Sequence, residues 1–144
     1  MDATVEHVGS FQELHLKMGS ETVLLVEDEA AVRLLSRHIL KSCGYSVLEA
    51  ENGMEAIDIA KLHADKIDII VTDVVMPVMG ARNMLEGLRP FIRDMKVLLL
   101  SGYGEESLCK DILEFSSASF LHKPFTVNSL AIAVRRVLDG QTVA

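Results

Sequence analysis

Short, continuously apolar runs recur along the chain, and each ends in a polar group. Val23-Leu24-Leu25-Val26 stops at Glu27-Asp28, Ile69-Ile70-Val71 at Thr72-Asp73, Val97-Leu98-Leu99-Leu100 at Ser101, and Phe120-Leu121 at His122-Lys123. A further run, Ser46-Val47-Leu48, precedes Glu49. Runs of this length, rich in Val, Ile and Leu and without polar alternation, are the pattern of strands buried on both faces, which predicts a parallel sheet covered by helices. Parallel strands need crossovers, and helical stretches lie between the runs. After Glu29, the residues Val32, Leu35 and Ile39 set an apolar stripe, with Arg33, Arg37 and Lys41 mostly off it and Gly44 as a stop. Residues 54–62 read as a second helix behind the Asn52-Gly53 turn, 81–88 as a third that ends before Pro90, and 105–115 as a fourth. In the last helix Leu130, Val134, Val137 and Leu138 form one face, Arg135 and Arg136 point away, and Gly140 ends it. Strands and helices alternate, so the expected class is α/β.

The 144 residues fit one domain of the usual ~100–150 and leave no room for a second catalytic one. An apolar share of 49% and a charged share of 24% describe a globular protein, and the apolar runs fall far short of the ~20 residues of a membrane span. The opening Met1-Asp2-Ala3-Thr4-Val5-Glu6-His7 lacks the positive start and apolar stretch of a secretory signal, which predicts a cytoplasmic location. A net charge of −7 without a dense Lys/Arg cluster argues against direct nucleic-acid binding. Cys43 and Cys109 lack metal or disulfide spacing, and the five histidines, His7, His15, His38, His63 and His122, read as ordinary surface or core residues. Residues 1–20 read as a tail or linker, 21–140 as the domain and 141–144 as a short tail. Within the first segment, Ser10-Phe11-Gln12-Glu13 has capping-box spacing and Phe11, Leu14 and Met18 form a stripe, so a short helix and a linker both remain open there.

Ligands of an open parallel sheet bind beyond the carboxyl ends of its strands, where the strand order switches. Glu27, Asp28 and Asp73 are expected to meet there, and carboxylates that close require a counter-ion. Oxygen ligands with room for water suit magnesium rather than zinc. Lys123 adds a positive charge and Ser101 a hydroxyl donor, which together with the metal would form a pocket for a phosphoryl group. Aspartate is ionised at neutral pH and can serve as the nucleophile. Taken singly, an Asp after a strand is more often a helix cap, and Glu27-Asp28-Glu29 could complement a helix dipole. The conjunction of four such endings on one face favours the chemical reading.

The stretches Val23-Leu24-Leu25-Val26-Glu27-Asp28-Glu29, Val71-Thr72-Asp73-Val74-Val75-Met76-Pro77, Leu100-Ser101-Gly102-Tyr103 and Leu121-His122-Lys123-Pro124-Phe125 resemble the receiver domain of two-component response regulators, over about residues 21–140. The resemblance implies a flavodoxin-like, doubly wound five-stranded parallel sheet in the order 2-1-3-4-5 with helices on both faces. It implies that Asp73 is phosphorylated and that Mg2+ (or Mn2+) is held by Asp28 directly, by Glu27 largely through water, by Asp73 and by the Val75 carbonyl. Ser101 and Lys123 would bind the phosphoryl oxygens, and Phe120 would be the aromatic switch whose ring turns inward as the Ser101 hydroxyl moves toward the phosphate. The implied partner is a histidine kinase or a histidine phosphotransfer protein, with the face of the last helix as a homodimer surface. Such a domain is a signalling module that catalyses only its own phosphorylation and slow dephosphorylation. The family usually carries Met-Pro-x-Met-x-Gly, whereas Pro77-Val78-Met79-Gly80-Ala81 places the glycine one position early, so a rearranged loop is expected after Asp73.

An aspartate-based magnesium phosphatase would carry a second aspartate two residues after the first, where this chain has Val75. A dinucleotide-binding domain would carry a glycine-rich turn where Glu27-Asp28-Glu29 stands. A receiver-like scaffold that is never phosphorylated would not need the full acidic, Asp, Ser and Lys set. The phrases Gly19-Ser20-Glu21-Thr22-Val23-Leu24 and Ser101-Gly102-Tyr103 are similar to receivers of hybrid sensor histidine kinases, so a receiver from such a protein and a single-domain shuttle both stand as arrangements.

Overall fold

A computed structural model describes residues 19–115 and 118–141; the candidate helix around Ser10, together with His7 and His15, lies outside the described residues. Strand β1 (Thr22–Val26) leads to α1 (Ala30–Ser42), β2 (Ser46–Ala50) to α2 (Gly53–His63), and β3 (Ile69–Asp73) to α3 (Ala81–Leu88). Then follow β4 (Val97–Ser101), α4 (Glu106–Phe115), β5 (Ser119–His122) and α5 (Val127–Leu138). All neighbouring strands pair in parallel, in the order β2-β1-β3-β4-β5.

The unbroken apolar runs have a direct structural cause. Successive residues of a strand point to opposite faces. Leu24, Val26, Ile70 and Leu99 face α2, α3 and α4, where Ala56, Ala60, Met84, Leu85 and Leu88 cover them. Val23, Leu25, Val71, Leu98 and Leu100 face α1 and α5, against Ile39, Leu40, Leu130 and Val134. Since each buried Leu or Ile contributes about 1.5–3 kcal/mol, the two layers clamp the sheet and hold its strand ends rigid. Asn52 caps α2 by accepting from the Glu55 amide, and Thr126 and Ser129 form a reciprocal capping box at the start of α5.

Two sequence expectations need correction. Helix α1 does not bury the Val32-Leu35-Ile39 stripe: Leu35 is 50% exposed, and the face on the sheet runs through Ser36, Ile39, Leu40 and Cys43. A serine in the buried stripe conceals the periodicity, and its hydroxyl finds no hydrogen-bond partner. Nor does Arg135 point away into solvent. Its guanidinium donates to both carboxylate oxygens of Glu21 at 3.1 and 2.7 Å and to the Tyr45 hydroxyl at 3.3 Å. Glu21 and Tyr45 immediately precede β1 and β2, so the last turns of α5 lie across the amino edge of the sheet.

Candidate functional site

Strand register assembles the site. Val26 pairs with Thr72 and Asp73 with Leu100, so Glu27 and Asp28 emerge from β1 beside Asp73. Ser101 pairs with His122, and the Lys123 amide donates to the Ser101 carbonyl at 2.8 Å, which sets Lys123 one step beyond. Glu27 is further fixed by the Arg33 guanidinium, which donates to its carbonyl at 2.8 Å, and by the Glu29 amide, which donates to its carboxylate at 3.3 Å. The first helix is therefore not capped by a side chain of the acidic run: Glu29 stands at its N-cap without a side-chain cap bond.

Glu27, Asp28 and Asp73 each offer a carboxylate oxygen, and the three lie within 4.8 Å of one another. Glu27 is fully buried, Asp73 nearly so, and Asp28 is exposed. The Lys123 ammonium spans the buried pair, 2.9 Å from Glu27 and 2.5 Å from Asp73. Burial pushes the Asp73 carboxyl up to about 8, with the hydrogen bond and charge of Glu27 adding to the rise and Lys123 opposing it. Burial also works to raise Glu27, but its hydrogen bonds with Asp73 and Lys123 outweigh that and leave it below the usual range. Desolvation disfavours the Lys123 charge, which the two carboxylates more than restore. Burial and the neighbouring Glu27 charge favour the protonated form of Asp73, and a bound cation would relieve the same repulsion. The donor set fits a hard divalent ion, being all oxygen and open to solvent on the Asp28 side.

The loop after Asp73 departs from a regular turn. The Met79 amide donates to the Pro77 carbonyl at 2.7 Å, closing a three-residue turn that puts Val78 at φ 72°. A β-branched residue in this left-handed region is strained. Gly80, by contrast, has an ordinary φ of −71° and serves as the N-cap of α3, so the shifted glycine does not carry the turn. Val75 is half exposed and Tyr103 fully so, which leaves the Tyr103 ring in solvent rather than folded over the carboxylates.

Ser101 is buried, and its hydroxyl lies beside the His122 imidazole. Its oxygen is 3.2 Å from His122 Nδ1. Phe120, partly buried, meets the His122 ring edge to face at 5.5 Å between centroids. These residues, with Cys109 and Leu113 of α4, line a cavity of about 380 Å³ between β4, β5 and α4. His122 was not singled out among the histidines, although strand alternation puts it on the face of Phe120 and in register with Ser101. Both cysteines are free and buried, and burial raises their thiols above the ordinary range.

An acidic cluster with a facing ammonium at the switch point of a doubly wound sheet defines an α/β domain made to bind a charged ligand there. Comparison with known proteins narrows the class. Residues 23–135 match the response regulator receiver domain, and the chain belongs to that family. It is 42% identical over 123 residues to the sensor kinase CckA of Brucella abortus, covering 85% of this chain and 13% of that protein. With the sporulation initiation phosphotransferase F of Bacillus subtilis it shares 26% identity, across 84% of this chain and 96% of the relative. The solved receiver domain of the hybrid histidine kinase CckA superposes with a TM-score of 0.70 at 35% identity, over 81% of this chain and 98% of that one. The chain is thus a phosphoacceptor domain of two-component signal transduction, a signalling module whose family works with histidine kinases or phosphotransfer proteins. No helix among the described residues is long and apolar enough to cross a membrane.

Proposed function

We propose that Asp73 accepts the phosphoryl group from the phosphohistidine of a kinase or phosphotransfer protein. The histidine nitrogen–phosphorus bond breaks as the bond to the Asp73 carboxylate forms, and the freed imidazole retains the electron pair. Glu27, Asp28, Asp73 and the Val75 carbonyl would hold Mg2+ or Mn2+, which neutralises charge on the equatorial phosphoryl oxygens when bound. Lys123 contributes a second positive charge to the same oxygens and orients Asp73, while Ser101 supplies a hydroxyl donor once it turns toward them. Phe120 then follows Ser101 into the cavity beside α4 and alters the surface formed by α4, β5 and α5, while the face of α5 would serve a homodimer. We place the acting unit at residues 21–140, in the cytoplasm, with autophosphorylation and slow dephosphorylation as its own catalysis.

The observation that carries this reading is the approach of Lys123 to Asp73 and Glu27 inside a cluster of three carboxylates. Incubation with magnesium and acetyl phosphate, followed by intact mass, should add one phosphoryl group to the parent and none to Asp73→Asn. Equal labelling of that variant would overturn the assignment.

A further inference from the structure

His122 lies between the two residues assigned to the switch and touches both. Its Nδ1 is 3.2 Å from the Ser101 hydroxyl oxygen, and its ring stands edge to face with Phe120 at an interplanar angle of 75°. We propose that His122 is a positioning residue, a latch that holds the Ser101 hydroxyl toward the cavity while Asp73 is unphosphorylated. Recruitment of Ser101 by the phosphoryl group must then break the Ser101–His122 hydrogen bond. This inference rests on the reading that Ser101 meets the phosphoryl group on Asp73.

The chemistry of the two groups makes the latch directional. A serine hydroxyl has a single hydrogen to donate. A neutral imidazole with its hydrogen on Nε2 accepts that hydrogen at Nδ1, so the hydroxyl has none left for a phosphoryl oxygen. A protonated imidazole instead donates at Nδ1 to a Ser101 lone pair and frees the hydroxyl hydrogen. The Phe120 contact joins the parts, because the phenyl ring and the His122 imidazole meet edge to face on the same cavity of about 380 Å³, so that a turn of either ring alters this contact.

The experiment titrates beryllium fluoride with magnesium into the protein and follows the Ser101 amide and Phe120 ring by NMR. His122→Leu should reach its midpoint at about 3- to 10-fold lower beryllium fluoride, the scale of one hydrogen bond. His122→Asn, whose side-chain oxygen can take the place of Nδ1, should return to the parent midpoint. In a Ser101→Ala background, His122→Leu should have no further effect. An unchanged midpoint in His122→Leu, or an equal shift in the Ser101→Ala background, overturns the latch. A parent that does not respond to beryllium fluoride counts instead against the phosphoacceptor reading of Asp73. The latch is then decided without phosphoryl chemistry, by the imidazole ¹⁵N shifts of the free protein. They should report a hydrogen on Nε2 and an acceptor at Nδ1 that is lost in Ser101→Ala; a His122 spectrum unaltered by that substitution overturns it.

Discussion

Each end of the sheet carries a cluster of charged side chains, and the two are built on opposite terms. At the amino end, the Arg135 guanidinium meets Glu21 at 2.7 Å and Asp139 at 2.9 Å, and its hydrogen bond with Glu21 holds that carboxyl below the usual range. That cluster is partly open to water and stabilises its charges. At the carboxyl end, Glu27 and Asp73 are buried around Lys123, and Asp73 is driven toward its neutral form by burial first and by Glu27 second. An ion cluster that satisfies its charges fastens β1 and β2 to α5. One that leaves a carboxylate poorly solvated costs stability in the metal-free protein, and it coincides with the site proposed for phosphoryl transfer.

The largest expected effect concerns the lifetime of the phosphorylated form. Val75, two residues after Asp73, has no polar group to hold a water in line with phosphorus, so hydrolysis should be slow. Val75→Asn should accelerate loss of phosphate by about 10²-fold, measured as decay of labelled protein in magnesium with the donor removed. A parent that decays as fast as Val75→Asn would remove water placement at this position as the control. Next in size, Asp28→Asn should weaken magnesium binding at least about 10-fold by calorimetric titration, since few protein ligands are present. Equal affinity would mean that the carboxylates do not share an ion.

Stability sets the two ends directly against each other. Asp73→Asn should raise the metal-free unfolding free energy at pH 8 by on the order of 2 kcal/mol in urea, because it removes the poorly solvated charge. Burial drives the metal-free Asp73 carboxyl up to about 8, against the ordinary value of 3.8 that the unfolded chain retains. The native state binds more protons across that window, so stability should fall as pH rises through it, and magnesium or Asp73→Asn should flatten the slope. Arg135→Met should act in the opposite sense, lowering stability by about 1 kcal/mol without changing phosphorylation. A gain in stability from Arg135→Met, or a loss from Asp73→Asn, would break the contrast. The smallest effect belongs to Tyr103→Ala: the fully exposed ring shields nothing, so the phosphoryl lifetime should change less than about 2-fold.

Much of this protein follows from local sequence. Strands buried on both faces must be apolar at every position, so the runs ending at Glu27, Asp73 and Ser101 were legible without coordinates, as were the apolar face of α5 and the carboxylates at the strand ends. Contacts set by the angles and registers between elements were not legible. Helix α1 turns Ser36 rather than Leu35 toward the sheet, because interlayer packing selects the face and a small serine fits there. Arg135 appeared to be a solvent-facing residue until the ends of β1 and β2 brought Glu21 and Tyr45 to it. Val78, not Gly80, takes the left-handed position after Asp73, since closure of the turn onto α3 decides which residue bears the strain. His122 had no ligand spacing to mark it, and only the pairing of β4 with β5 puts its imidazole on the Ser101 hydroxyl. Periodicity records which residues leave water, whereas the partner of a polar side chain depends on how separate segments are brought together in three dimensions.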